Sequence, residues 1–142
     1  AATSAPPAPA NPLPAPLEDG ITFLGYDQPA RVAAGETVDI TLHWHATDTP
    51  SQDYTVFFQL LDTNNTYIAG ADSPPLNGDY PTSLWQPDDT ITETRQLTLP
   101  ADLPPGNYFI ATGLYDPATG ARLPLVGGRG TDTITWRFTV GE

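Results

Sequence analysis

Hydrophobic and polar residues alternate along most of this chain, which places the apolar side chains of many segments on one face. In the segment 36–46, five apolar residues beginning at Val38 share one face, and polar residues fill most positions between them. The segment 131–140 repeats the pattern, with apolar residues beginning at Ile134. A period of two is typical of a β-strand with one buried face. No segment of the sequence shows the longer period of an amphipathic helix.

Turn signals rich in proline, glycine, aspartate and asparagine separate these alternating segments. The segments with strand signals are 21–26, 36–46, 53–62, 66–71, 90–99, 106–116, 121–126 and 131–140. Short strands at this spacing are typical of an antiparallel β-sandwich. We therefore expect an all-β, immunoglobulin-like or fibronectin-like sandwich of seven or eight strands with a Pro-rich N-terminal extension.

The stretch LPPGNY at 103–108 refines this prediction. It places Leu-Pro-Pro-Gly directly before a strand, with Tyr108 two residues after the glycine. In immunoglobulin-like sandwiches such a tyrosine turns back, and its hydroxyl bonds the backbone of the preceding loop. We predict that Tyr108 forms this tyrosine corner, which is a structural role.

The N-terminal segment 1–17 differs in composition from the rest of the chain. It holds six prolines and six alanines, a composition typical of an extended polyproline spacer. We expect a linker or docking segment over 1–17 and a sandwich domain over 18–142. Because proline has no backbone N–H, we also expect these prolines to interrupt any simple addition of the segment to a sheet.

Charge and composition narrow the classes of partner. The chain carries 17 acidic residues against five arginines, and its formal net charge is −12. Such a surface repels nucleic-acid phosphates and anionic membranes. The absence of cysteine excludes disulfides and thiolate-metal sites. The beginning Ala-Ala-Thr-Ser fits the small-residue side of a signal-peptide cleavage site, so we expect a secreted or surface-anchored protein.

Three stretches resemble a known family when they are taken in order. They are DYPTSLWQP, LTLPADLPPGNY and GLYDPATGARLP. Together they resemble an extracytoplasmic β-sandwich module of bacterial, Chloroflexota-like envelope proteins, which is often appended to multipass glycosyltransferases of the protein-mannosyltransferase type. The resemblance covers roughly residues 20–140. It implies a sandwich fold and a location at the cell envelope, and it supplies no catalytic residues.

Two kinds of metal site are candidates. His43 and His45 stand at alternate positions of one strand, so both would point to the polar face and would bind zinc or copper with a third ligand. Solvated residues without a metal are the alternative for this pair. Aspartates at turns, among them Asp62 and Asp116, would suit calcium, although turn aspartates also cap turns. We expect no cofactor, and calcium is the alternative that these aspartates leave open.

Aromatic residues in predicted loops raise the question of a binding surface. Trp85 and Tyr80 fall outside any strand period, and we expect Trp85 to fold back and close the end of the core. The alternative is a surface for a glycan or a partner, formed by Tyr80, Trp85, Tyr67 and Tyr115.

The sequence contains no recognisable catalytic set, and we expect no enzyme activity. Our first hypothesis is a non-catalytic extracellular structural module, a cell-surface spacer or a subunit of a filament-like assembly. Its N-terminal segment would act as a tether, or as a strap that contacts a second copy or a neighbouring envelope protein. The alternative hypothesis is a carbohydrate-binding accessory module of an envelope glycan enzyme.

Overall fold

Two β-sheets make up the protein. The computed structural model describes residues 9–29, 31–126 and 132–141. The strands in this part of the chain are β1 Asn11–Pro16, β2 Ile21–Asp27, β3 Val32–Ala33, β4 Thr37–Ala46, β5 Thr55–Leu61, β6 Tyr67–Gly70, β7 Thr90–Thr98, β8 Gly106–Tyr115 and β9 Ile134–Gly141. The first sheet has the order β1-β2-β4-β7, and the second has the order β3-β9-β8-β5-β6. All neighbours are antiparallel except β3 and β9, so the predicted all-β sandwich is confirmed.

The core lies between the two sheets and uses the alternating apolar faces of the sequence. The five apolar residues of β4 that begin at Val38 are buried, as are the four of β9 that begin at Ile134. Phe23 of β2 stacks on Trp136 with ring centroids 5.7 Å apart, and it meets Trp44 edge-on at 4.9 Å. Aromatic pairs of this geometry add about 0.5–1.5 kcal/mol beyond the burial of their area. These three rings therefore tie β2, β4 and β9 together across the sandwich.

The predicted strand over 121–126 is wrong. This segment makes only isolated bridges, and Pro124 in its middle has no N–H for a ladder. It instead covers the outward side of β5, where the Arg122 guanidinium lies 4.2 Å from the centre of the Phe57 ring. Gly113 on the neighbouring strand makes room for this ring, since a Cβ there would lie 2.7 Å from it. The apolar character of β5 on both faces is explained by this cover.

Part of the Pro-rich segment forms an edge strand that the sequence did not reveal. β1 pairs with β2, and its register shifts between Pro12 and Ala15. The prolines therefore disturb the ladder without preventing it. Leu17, which follows β1, is buried in the core. The segment from residue 9 to residue 17 is thus continuous with the first sheet, whereas residues 1–8 lie outside the described part of the chain.

Tyr108 closes the loop that precedes β8. The tyrosine is mostly buried, and its hydroxyl donates a hydrogen bond of 2.5 Å to the carbonyl oxygen of Pro104. This is the contact that a tyrosine corner requires. The bond fixes the entry of β8, the strand between β9 and β5 in the second sheet.

Candidate functional site

A groove of about 730 Å³ lies beside the edge strand β7. It is formed between β7 and the loop that joins β6 to β7. Glu93 and Arg95 line its buried part. Exposed polar side chains line its outer part, and these are Asp39, Asp72, Asp79, Thr94 and Gln96. The volume falls in the range of small-molecule sites, although the lining is more polar than is usual.

Glu93 and Arg95 form a buried ion pair at the inner wall of the groove. Both side chains are about 95% buried, and Arg95 Nη2 lies 2.8 Å from Glu93 Oε1. They share one face because they are two residues apart on β7. Inward-pointing charges on an edge strand also discourage the addition of a further strand.

Arg95 links the first sheet to the loop between β6 and β7 through several hydrogen bonds. Its guanidinium donates to the carbonyl oxygen of Ala71 at 2.8 Å, and to the hydroxyl and carbonyl oxygens of Ser73 at 2.7 and 3.0 Å. Glu93 accepts bonds from the indole N–H of Trp44 at 3.0 Å and from the backbone N–H of Leu76 at 3.2 Å. Each charged group is therefore surrounded by partners, as a buried ion pair requires.

The strand signals over 90–99 predict a strand there but do not by themselves single out this pair. A signal was nevertheless present. Glu93 and Arg95 alternate in phase with Ile91 and Leu97, so the period of two places them on the core face. Charged residues in phase with core residues predict a buried pair.

The outer part of the groove offers mainly hydrogen-bond acceptors. Asp39 and Asp79 are exposed carboxylates, and one oxygen of Asp72 already accepts the backbone N–H of Phe58 at 2.9 Å. The Gln96 amide adds a donor and an acceptor. Such a set can bind a hydroxyl-rich ligand. Among the described residues that line the groove, none is a histidine, cysteine or lysine.

The structure separates the four aromatic residues of the predicted glycan surface. Trp85 is fully buried, and its indole N–H donates to the carbonyl oxygen of Tyr80 at 2.9 Å. It closes the core and cannot stack on a sugar, so its place in the predicted surface is wrong. Tyr67 pairs with Leu61 at one end of β5, while Tyr115 pairs with residue 55 at the other. The two lie roughly 20 Å apart along the strand.

Tyr80 is half-buried and held by the loop before β7. Its hydroxyl donates to Asp89, and this hydrogen bond raises the pKa of Tyr80 while it lowers that of Asp89. The ring lies 6.5 Å from that of Trp85 in a tilted arrangement. Tyr80 therefore packs against the core-closing tryptophan, and it is not a free platform.

The two histidines differ in environment. His43 is fully buried, with Nε2 2.9 Å from Asp27, so the interpretation of both histidines as solvated residues is wrong. His45 is partly exposed, with Nδ1 3.2 Å from the Thr90 hydroxyl and Nε2 3.8 Å from Asp88. Within residues 9–29, 31–126 and 132–141, no three His, Asp or Glu side chains converge as metal ligands would.

The turn aspartates considered for calcium are engaged with backbone N–H groups. Asp62 Oδ1 accepts from Asn64 at 2.8 Å and from Thr66 at 2.9 Å. Asp116 accepts from Ala118 at 2.9 Å, and this hydrogen bond lowers the pKa of Asp116. These are the contacts of aspartates that cap turns.

Asp19 fixes the turn between β1 and β2. Its Oδ2 accepts the Tyr54 hydroxyl at 2.6 Å and the Ser51 hydroxyl at 2.7 Å. Burial opposes ionisation of Asp19, but these hydrogen bonds outweigh it and lower the pKa of the carboxyl group. Burial, together with the bond to Asp19, raises the pKa of Tyr54.

The outer face of the first sheet holds the beginning of the described chain. At Gly25 a Cβ would overlap the carbonyl oxygen of Asn11 and would lie 2.9 Å from the ring of Pro9. The backbone N–H of Ala10 donates to Asp27 Oδ1 at 2.5 Å. Burial opposes ionisation of Asp27, yet the bonds from Ala10 and His43 lower its pKa. Gly25 thus leaves space for the segment, and Asp27 holds it.

Comparisons with known proteins address the fold. No protein-family model matches the chain, and no curated protein matches its sequence. The C-terminal domain of Wzt is similar in structure, with a TM-score of 0.60 at 16% identity over 89% of this chain and 76% of that domain. A β-glucosidase from Listeria innocua in complex with isofagomine gives 0.50 at 13% identity, over 86% of this chain and 16% of the enzyme. A CARDB domain from Pyrococcus furiosus in complex with di-metal ions gives 0.48 at 14% identity, over 81% and 87%.

At these identities the likeness shows the fold alone. The chain shares its sandwich with a domain of Wzt and with a part of a larger enzyme chain. No helix within the described residues has the length and apolar character to cross a bilayer.

Proposed function

We propose that this protein is a non-catalytic structural module of the bacterial cell surface. It acts as a spacer or as a subunit of a surface assembly, and its N-terminal segment is the tether or strap. The acidic surface and the resemblance to extracytoplasmic modules of glycosyltransferase-bearing envelope proteins support an extracellular location. The partner is a second copy or a neighbouring envelope protein.

One observation carries this proposal. The Pro-rich segment from Pro9 to Pro16 lies on the edge of the first sheet, where Gly25 and Asp27 receive it. A segment used only as a flexible spacer would need no such seat. This seat, formed by Gly25 and Asp27, therefore supports a role for the segment in connecting the domain to a second copy or to a neighbouring envelope protein.

The location is tested by labelling intact producing cells with an antibody raised against the purified protein. We expect labelling of intact cells that matches the labelling of lysed cells. Labelling that appears only after lysis would contradict a surface role. Proteinase treatment of intact cells is the control, because it should remove the signal without entering the cytoplasm.

The groove beside β7 favours a second candidate, a carbohydrate-binding accessory module. Its exposed carboxylates and the Gln96 amide are suited to sugar hydroxyl groups. This candidate moves the glycan from the separated tyrosines to the groove.

Calorimetric titration with a panel of neutral oligosaccharides tests this candidate. If a glycan binds in the groove, Asp79→Asn and Gln96→Ala should each weaken binding roughly tenfold or more. The control is Tyr67→Ala, at a ring that is 59% exposed and lies outside the groove lining. Binding that depends on Tyr67 and not on Asp79 would refute the groove as the site.

A further inference from the structure

We propose that residues 9–18 are exchanged between copies of this chain, so that β1 of one copy occupies the β2 edge of another. The proposal rests on the proposed function and names the partner of the strap as a second copy. It concerns four parts of the structure: the strand, its seat, the anchor after it and the turn that connects it to β2.

The strand is a separable element of the sandwich. β1 lies at the edge of the first sheet, with β2 as its neighbour there. Its apolar residues Leu13 and Ala15 are only partly buried, and its register with β2 is broken. Detaching β1 leaves β2, β4 and β7 paired as before.

The seat recognises the segment and not its connection to β2. Gly25 provides the space for Pro9, and Asp27 accepts the Ala10 N–H. His43 supports Asp27 from below, with its Nε2 2.9 Å from the carboxylate. These contacts depend only on residues 9–11, so the same residues of a second copy would make them equally well.

The anchor after the strand is equally transferable. The N–H of Glu18 donates to the carbonyl oxygen of Pro124 at 3.0 Å, and the N–H of Val126 donates to that of Pro16 at 2.8 Å. Leu17 forms an isolated bridge with Leu125. Residues 16–18 therefore dock on the segment 124–126, and the N–H of Leu17 also donates to the carbonyl oxygen of Ile21 on β2 at 2.7 Å. The same residues of a second copy would make these bonds equally well.

The connection is a tight reversal in which two successive residues have positive φ. Asp19 has φ 60° and Gly20 has φ 79°. Residues other than glycine disfavour this region, although aspartate tolerates it better than most. In an exchanged pair the connection extends and Asp19 leaves the left-handed conformation, at the cost of its hydrogen bonds to Ser51 and Tyr54. Short connections of this kind favour exchange of the element that they join.

Cysteine pairs test the exchange directly, because the chain has no cysteine of its own. Pro16 and Thr22 face each other across β1 and β2, and Thr37 and Thr98 face each other across β4 and β7. The variant Pro16→Cys/Thr22→Cys is folded at low and at high protein concentration and is then oxidised. Its mass is measured by mass spectrometry without reductant. The matched control is Thr37→Cys/Thr98→Cys.

We expect covalently linked copies from the first pair, increasing with protein concentration, and single chains from the control. Single chains from both pairs at every concentration would overturn the proposal. They would leave the surface role intact, since that role is judged by labelling of cells. Antibody labelling that appears only after cell lysis would instead overturn the proposed function.

Two substitutions of one hinge residue give an independent test by light scattering. Asp19→Gly and Asp19→Pro remove the same carboxylate, but glycine accepts positive φ and proline forbids it. We expect Asp19→Gly to be monomeric and Asp19→Pro to consist of two or more copies. Adding Gly25→Ala to Asp19→Pro should return single copies, because the seat is then filled. A monomeric Asp19→Pro with a protected β1 in hydrogen exchange would overturn the proposal.

Discussion

Replacing Arg95 with methionine should destabilise the protein more than most single substitutions. Methionine keeps much of the length and apolar stem of arginine but leaves Glu93 as a buried charge without its cation. Both side chains are about 95% buried, so solvent screens the pair little. Breaking a buried pair by removing one partner costs about 3–5 kcal/mol. That is a large share of the roughly 5–15 kcal/mol by which a domain of this size is stable.

A second substitution separates the orphaned charge from lost packing. Glu93→Gln removes the charge yet keeps an oxygen that can accept the indole N–H of Trp44. The double variant Glu93→Gln/Arg95→Met should therefore recover about 2 kcal/mol of the loss of Arg95→Met. The assay is urea unfolding at pH 7, followed by tryptophan fluorescence. A loss below about 1 kcal/mol for Arg95→Met, or a double variant no more stable than the single, would refute this account of the pair.

Three further predictions follow from buried or hydrogen-bonded side chains. Trp85→Ala should lose about 3–5 kcal/mol in urea unfolding, while Leu84→Ala, at a side chain 55% exposed, should change stability by less than about 0.5 kcal/mol; equal effects would contradict the core-closing role. Tyr108→Phe should lose about 1 kcal/mol through the bond to Pro104, and an unchanged midpoint would count against the corner. Asp19 has a lowered pKa in the folded state, so its contribution is complete above about pH 4 and is lost as pH falls through the folded value. Asp19→Asn should therefore reduce stability at pH 7 and flatten its decline in acid, and parallel pH curves for the two proteins would disprove this.

The fold was largely predictable because burial leaves a direct trace in strand sequences. The alternation over 36–46 and 131–140 corresponds to β4 and β9, and the apolar run over 53–62 corresponds to β5. The prediction of a strand over 121–126 was wrong because the apolar residues of this segment have a different structural role. They belong to a segment that bridges to Leu17 and covers Phe57 without forming a ladder.

The candidate site was less predictable, since it depends on which side chains meet across strands. Periodicity placed His43 on the outer face, and it does point there. Its burial comes from its tertiary surroundings. Gly25 of β2 pairs with His43 of β4, and Pro9 packs over Gly25. Composition indicated a linker or docking segment over 1–17, but nothing local to Gly25 indicates that Pro9 occupies the space above it.

The distribution of proline along β1 determines where the first sheet stops. Pro12, Pro14 and Pro16 occupy alternate positions of this outermost strand, so half of its residues have no N–H to offer. An incoming strand from a stray or misfolded chain would find too few donors to continue the ladder. The edge therefore resists amyloid-like growth. Copies of this domain held close together would therefore keep their sheets separate and would not fuse into insoluble aggregates.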